Sequence, residues 1–107
     1  MNAAEDTLGG YVIVHGRPPG FTGSDGHPYS VGVFSDDDPG PDGRFGAALL
    51  FIRWSASNAP DGHLESDYLA FSGSAAAAEE EVGRLSLHEV KRILDALIAS
   101  HPGNDST

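Results

Sequence analysis

The residues whose types and spacing could support chemistry lie in the segment 63–67, which reads His-Leu-Glu-Ser-Asp. In an extended chain successive side chains point to opposite faces, so His63, Glu65 and Asp67 would project from one face of a strand. An imidazole and two carboxylates could hold a divalent metal ion there, or could transfer a proton. The same residues are typical of the solvated face of an edge strand, where charges discourage aggregation between sheets. We favour the solvated edge, because antiparallel sheets commonly have one wet face.

A second group of polar side chains lies in the stretch 16–28, which contains four glycines and three prolines. Ser24, Asp25 and His27 bring a hydroxyl, a carboxylate and an imidazole close together in sequence. Such groups form a catalytic triad only where a rigid scaffold orders them, and the chain has no G-x-S-x-G elbow, P-loop or dinucleotide fingerprint. We therefore expect a loop in which Asp25 bonds the backbone of its own turn. Asp25 and His27 remain candidate binding residues.

Composition narrows the classes of partner. The 107-residue chain has sixteen acidic and six basic residues, a formal net charge of −10. Affinity for nucleic acids and for anionic membranes depends on clustered Lys and Arg, so we expect neither partner. The chain has no cysteine, which excludes disulfides, thiolate zinc sites, iron–sulfur clusters and thiol nucleophiles. We expect no cofactor.

The two ends of the sequence resemble flexible tails around one domain. Residues 1–10 and 101–107 are small and polar, so we expect a single domain over 11–100. The first residues have neither the basic start nor the apolar stretch of a signal peptide, and no apolar run reaches the roughly 20 residues of a membrane span. We predict a cytoplasmic protein.

The segment 45–55 contains the main apolar run, Phe-Gly-Ala-Ala-Leu-Leu-Phe-Ile-Arg-Trp. Read as a strand, it is apolar on both faces. One face carries Ala47, Leu49 and Phe51, and the other carries Ala48, Leu50, Ile52 and Trp54. A strand of this kind needs cover on both sides, which places it in the middle of the structure.

The remaining elements predict an α+β fold. Four strands, at about 11–15, 29–35, 45–55 and 63–72, are joined by loops and suggest an antiparallel meander. A short helix is expected at 75–82 after Ser74, and a C-terminal helix at 87–100, where Ser86 and Glu89 form a capping box. The apolar residues of the C-terminal helix fall on one stripe, so we expect this amphipathic helix to pack on one face of the sheet.

One helix layer leaves the second apolar face of the central strand without a partner. It could be covered by the stretch 16–28 through Phe21, by the short helix, or by a second copy of the chain; we favour the second copy. The candidate interface residues are Leu50, Ile52, Trp54 and Phe21. We therefore expect a non-enzymatic protein that acts through a protein–protein surface, as a homodimer or as an accessory or regulatory subunit. The alternative is a small-molecule or metal-binding module that uses His63, Glu65 and Asp67 beside the stretch 16–28.

Overall fold

Five antiparallel strands and three helices form the part of the chain that this computed structural model describes, residues 6–100. The α+β class and the meander order of the first four strands, predicted from the sequence, are confirmed. In chain order the elements are α1 (Leu8–His15), β1 (Gly20–Thr22), β2 (Pro28–Ser35), β3 (Phe45–Trp54), β4 (Pro60–Glu65), β5 (Ala70–Ser72), α2 (Ala75–Gly83) and α3 (Leu87–Ala99).

Strand β3 is the centre of the sheet. Strand β2 runs along one of its edges from Tyr29, opposite Arg53, to Ser35, opposite Ala47. On the other edge of β3, strand β4 pairs with the second half of β3 and strand β5 pairs with the first half. The predicted position of the apolar run in the middle of the structure is therefore confirmed.

The prediction of a strand at 11–15 is wrong, because these residues belong to helix α1. Thr7 caps the helix by accepting a hydrogen bond from the N–H of Gly10 at 3.0 Å, and Gly16 ends it in the left-handed conformation at a φ of 69°. Leu8 anchors the helix in the core at 2% exposure. Strand propensity is a weak preference, and here the caps and the core contact outweigh it. Leu8 also lies within the expected tail 1–10, whereas residues 1–5 and 101–107 are outside the described part.

Two further predictions about strands need correction. The stretch 16–28 contains the short strand β1, which pairs with β2 from Gly20 opposite Ser30. The strand predicted over 63–72 is interrupted after Glu65, and β5 resumes pairing with β3 only at Ala70. At the interruption the Ser66 N–H still donates to the carbonyl of Leu49 at 2.9 Å, but the N–H of Leu49 donates to the Ser66 hydroxyl at 2.9 Å. A side chain therefore replaces the strand carbonyl as acceptor.

Helices α2 and α3 begin at the predicted caps. The hydroxyl of Ser74 accepts the N–H of Ala77 at 3.1 Å. The Ser86 hydroxyl accepts the Glu89 N–H at 3.0 Å, and the Glu89 carboxylate accepts the Ser86 N–H at 2.9 Å, which completes the capping box. Both signals are local in sequence, which is why they could be predicted.

All three helices pack on the same face of the sheet. The buried residues of α1, α2 and α3 belong to one hydrophobic cluster together with the sheet residues on that side. The cluster contains Leu8, Tyr29, Val31, Ala47, Leu49, Phe51, Leu64, Ala78, Val82, Val90 and Leu94. We call this side of the sheet the helix-covered face.

Candidate functional site

The other side of the sheet carries the candidate site. Ile52 is opposite Ser30 on β2 and His63 on β4, so these three side chains project to one side, away from the core cluster. We call this side the open face. Its members are Ser30, Gly32, Phe34, Gly46, Ala48, Leu50, Ile52, Trp54, His63, Glu65 and Phe71. Within residues 6–100, the helices direct their buried side chains to the helix-covered face and leave the open face without a helix layer.

The centre of the open face is apolar. Ala48 has no exposed surface, and Leu50 and Ile52 beside it are half-buried by their neighbours on the sheet. The indole of Trp54 donates a hydrogen bond from Nε1 to the hydroxyl of Ser30 at 2.9 Å. This bond satisfies the polar atom of the indole and leaves its apolar surface available for contact.

Gly32 leaves a hollow in this face. It is opposite Leu50, and the register of β2 against β3 is continuous there, so the glycine does not mark a bulge. A Cβ atom built at Gly32 would meet no atom of residues 6–100 within 4 Å. Glycine weakens the interior of a strand, and no contact within the described residues requires it at this position. The hollow can receive a side chain from outside the chain.

Two aromatic side chains extend the apolar area at the β5 end. Tyr68 and Phe71 are in edge-to-face contact, with ring centroids 5.6 Å apart, and both are more than 40% exposed. The Tyr68 ring covers Gly46, where a Cβ atom would come within 2.8 Å of it. The Tyr68 hydroxyl donates a hydrogen bond to the carboxylate of Asp36, which raises the pKa of Tyr68. Tyr68 therefore closes this end of the face.

Only two of the three charged residues predicted to share a strand face come together. His63 and Glu65 lie on β4 at the margin of the open face, with Nε2 and Oε2 3.5 Å apart and both side chains more than half exposed. Asp67 falls after the interruption at Ser66, so the alternation that would align it with Glu65 is lost. Among the described residues, no group of three or more His, Asp and Glu side chains is placed to hold a metal ion.

Asp25 and His27 belong to a different part of the molecule, the turn between β1 and β2. The Asp25 carboxylate accepts the N–H of His27 at 3.1 Å and the hydroxyl of Tyr29 at 2.8 Å, which confirms the predicted Asx-type turn. Burial raises the pKa of Asp25, but these two hydrogen bonds, the electrostatic effect of His27 and the backbone N–H of Asp25 itself together lower it by more, so that it lies below its ordinary value of 3.8. His63 is on β4, beyond β3 in the sheet order, and the five candidate binding residues do not form one site.

Asp25→Asn is expected to lower the free energy of unfolding at pH 7 by about 0.5–1 kcal/mol, because the turn loses charge-assisted hydrogen bonds. The loss is small because solvent screens the charge of the carboxylate. A carboxyl whose pKa is lowered by folding stabilises the protein above its unfolded pKa and loses that effect as the pH falls through the folded value. The difference between the two proteins should therefore be constant above about pH 5 and vanish below the folded pKa. Urea unfolding across this range measures it, and a difference independent of pH would contradict the assignment.

The candidate interface residues divide between the two faces. Leu50, Ile52 and Trp54 are on the open face, as the strand alternation predicted. Phe21 pairs with Tyr29 and packs against the core on the helix-covered face. The remaining members of the surface, such as Phe34 and Phe71, were not predicted from the sequence. The alternation in 29–35 could have indicated Phe34, but only the register shows that it adjoins Ala48.

Comparison of the chain with protein-family models, with curated proteins and with solved structures finds no match in any of the three. No helix within residues 6–100 is long and apolar enough to cross a membrane. The cytoplasmic location stays a prediction.

Proposed function

We propose that the protein acts through a protein–protein surface, and that this surface is the open face packed against the open face of a second copy. The observation that carries the proposal is the placement of all three helices on one side of a sheet whose central strand is apolar on both sides. Two of the three candidates for covering the second side, Phe21 and α2, pack on the helix-covered face instead. The second copy is the remaining candidate.

The size of the open face is sufficient for a specific interface. Strand β3 has ten residues and runs for about 34 Å, and the three strand positions across the sheet span about 15 Å. Two such faces in contact would bury on the order of 1,000 Å2 in total, which is near the lower limit for specific protein–protein interfaces. This area supports a dimer of moderate affinity.

The distribution of charge favours the same surface. The chain has sixteen acidic residues, yet the open-face positions of β2 and β3 carry none of them. Interface centres are depleted of charged residues and enriched in aromatic ones, as at Trp54 and Phe34. A self-complementary two-fold contact also requires a patch that does not repel its own copy. The polar pair His63 and Glu65 lies at the margin, where solvent remains.

Sedimentation equilibrium between about 1 and 100 μM tests the proposal, with Trp54 emission as a second readout. Trp54 is the sole tryptophan and lies on the open face, so dimerisation should shift its emission to shorter wavelength as concentration rises. We expect a monomer–dimer equilibrium in the micromolar range. A monomer throughout this range, with an emission spectrum independent of concentration, would overturn the homodimer.

Gly32→Val is expected to weaken self-association at least about tenfold while leaving the monomer as stable or slightly more stable. The valine side chain has open space in one copy, and β-branched residues favour strands. In the dimer it would fill the hollow that a partner side chain needs, and overpacking opposes association. The control is Gly73→Val, a position with equally open space outside the sheet. Unchanged association of a folded Gly32→Val protein would contradict the proposed contact.

A further inference from the structure

The far edge of β2 is only partly used by the chain. Strand β1 pairs with β2 at three positions, the last of them Gly20 opposite Ser30. Pro19, the preceding residue, has no N–H and cannot extend the ladder with a further donor. Within residues 6–100, the part of β2 from Val31 to Ser35 pairs with β3 on one side and with no strand on the other.

The register determines which backbone groups point out of this free edge. The N–H of Asp36 donates to the carbonyl of Gly46 at 3.1 Å, so the hydrogen-bonded positions of β2 are the even-numbered ones. The N–H and C=O groups of Val33 and Ser35 therefore point away from β3. Unpaired strand edges of this kind are templates for another extended chain.

A groove of about 710 Å3 lies along the free edge, and we call it the β2 groove. Its walls are α1, Pro18 and α2, and its lining includes Val33 of β2. Val12 and Ile13 of α1 line it although they are 39% and 84% exposed. Large apolar side chains of a short helix thus face water beside unpaired backbone groups. Both features suit one occupant, an extended peptide with apolar side chains.

The charges at the groove favour a basic occupant. Glu79 and Glu80 of α2 line it, and the Glu79 carboxylate accepts a hydrogen bond from the Ser35 hydroxyl at the edge itself. Among the lining residues that the structure describes, Arg84 is the one basic residue, and it pairs with Glu80 at 3.4 Å. The rim is therefore net negative, on a chain whose net charge is −10.

We propose that the β2 groove binds an extended segment of a partner protein whose side facing the helices carries two apolar residues and then a basic residue, at alternate positions of the segment. The segment pairs with Val33 and Ser35 as an added strand. On this side its apolar side chains contact Ile13 and Val12, and its basic side chain approaches Glu79 and Glu80. This surface is on the helix side of the sheet edge and goes beyond the open-face dimer, because either could exist without the other.

The probe is a labelled six-residue peptide, Thr-Val-Thr-Val-Thr-Lys, in which the two valines and the lysine share one face of an added strand. It is titrated into the protein at about 150 mM salt, where long-range charge effects are screened. The matched control replaces the second valine by proline, which preserves the charge and prevents strand pairing. Hydrogen exchange of the backbone amides is followed by NMR. We expect binding at micromolar to sub-millimolar concentration, slower exchange at Val33 and Ser35, and at least about tenfold weaker binding of the control.

Two variants and one control variant locate the binding. Ser35→Pro removes one outward N–H without touching the β2–β3 ladder and should weaken binding about tenfold, whereas Ser35→Ala, which also loses the contact with Glu79, should bind as the wild type does. Ile13→Ser removes an exposed wall residue and should weaken binding about fivefold. Circular dichroism establishes that each variant is folded.

Three results would overturn the proposal. They are the absence of binding up to about 1 mM peptide, equal binding of the proline control, and unchanged exchange at Val33 and Ser35 in the bound state. Equal binding of the control would mean that attraction to the acidic chain is the whole effect. Because Trp54, which reports the dimer, is on the open face and does not line the β2 groove, a failure of the dimer leaves this test intact, and the reverse also holds.

Discussion

Phe51→Ala is expected to lower the free energy of unfolding by about 3–5 kcal/mol. Phe51 has no exposed surface and lies at the middle of the sheet, opposite Val31 on one side and Leu64 on the other. Truncation removes a buried ring and leaves a cavity that the close-packed core fills only in part. For a domain with a total stability of about 5–15 kcal/mol, this loss is severe.

Urea unfolding followed by far-UV circular dichroism measures this loss. Dimerisation would make stability depend on concentration, so both proteins are compared at one low protein concentration. The matched control is Ile52→Ala on the next residue, which points to the open face and is expected to lower the monomer stability by about 1 kcal/mol or less. Equal effects of the two substitutions would contradict the division of β3 into a covered and an open side.

Ile52→Lys is expected to weaken self-association by a factor of about 100 or more, while the fold is retained. In one copy the lysine ammonium can reach water across the half-buried open face. In the dimer the two-fold axis would bring two such charges into an apolar contact, where an unpaired charge is strongly unfavourable. A shift to monomer is the direct consequence.

Sedimentation equilibrium and the Trp54 emission spectrum measure this change. Ile13→Lys is the control, because it adds the same charge to an exposed apolar residue of α1. We expect the control to dimerise as the wild type does. If both substitutions weakened association equally, the cause would be the added charge itself and not its position. If neither weakened association, the open face would not be the interface.

The neighbouring residues Phe51 and Ile52 show how the two faces of β3 differ. They differ by one position in the same strand, so their side chains point to opposite faces. Three helices of the same chain cover one face, so truncation of a side chain on that face lowers the free energy of unfolding. Within residues 6–100, no helix covers the other face. A charge there is therefore expected to oppose the association of two molecules while the fold of each is retained.

The sequence by itself determined the elements whose signals are local. The caps at Ser74 and Ser86 act over three residues, so α2 and α3 could be placed to within one residue of their observed ends. The apolar run of β3 indicated a central strand because its alternation is apolar on both sides. The Asx-type turn at Asp25 is likewise a contact over two residues.

Only the tertiary structure decided the features that depend on distant partners. Residues 11–15 have strand propensity, yet they are helical because Thr7 and Gly16 cap the helix and Leu8 is buried against the core. The expected alignment of Asp67 with His63 and Glu65 fails because Ser66 bonds to Leu49, seventeen residues away in sequence. The pairing of β2 with β3 assembled Phe34, Leu50 and Ile52 into one surface.

The choice of face for the helices was also beyond the sequence. Both sides of β3 are apolar, so alternation alone gives no reason for α2 to join α3 on one side rather than cover the other. The decision depends on how well the helix side chains fill the space over each face, and packing of that kind is set by contacts among residues far apart in the chain. That choice created the open face, and the proposed function depends on it.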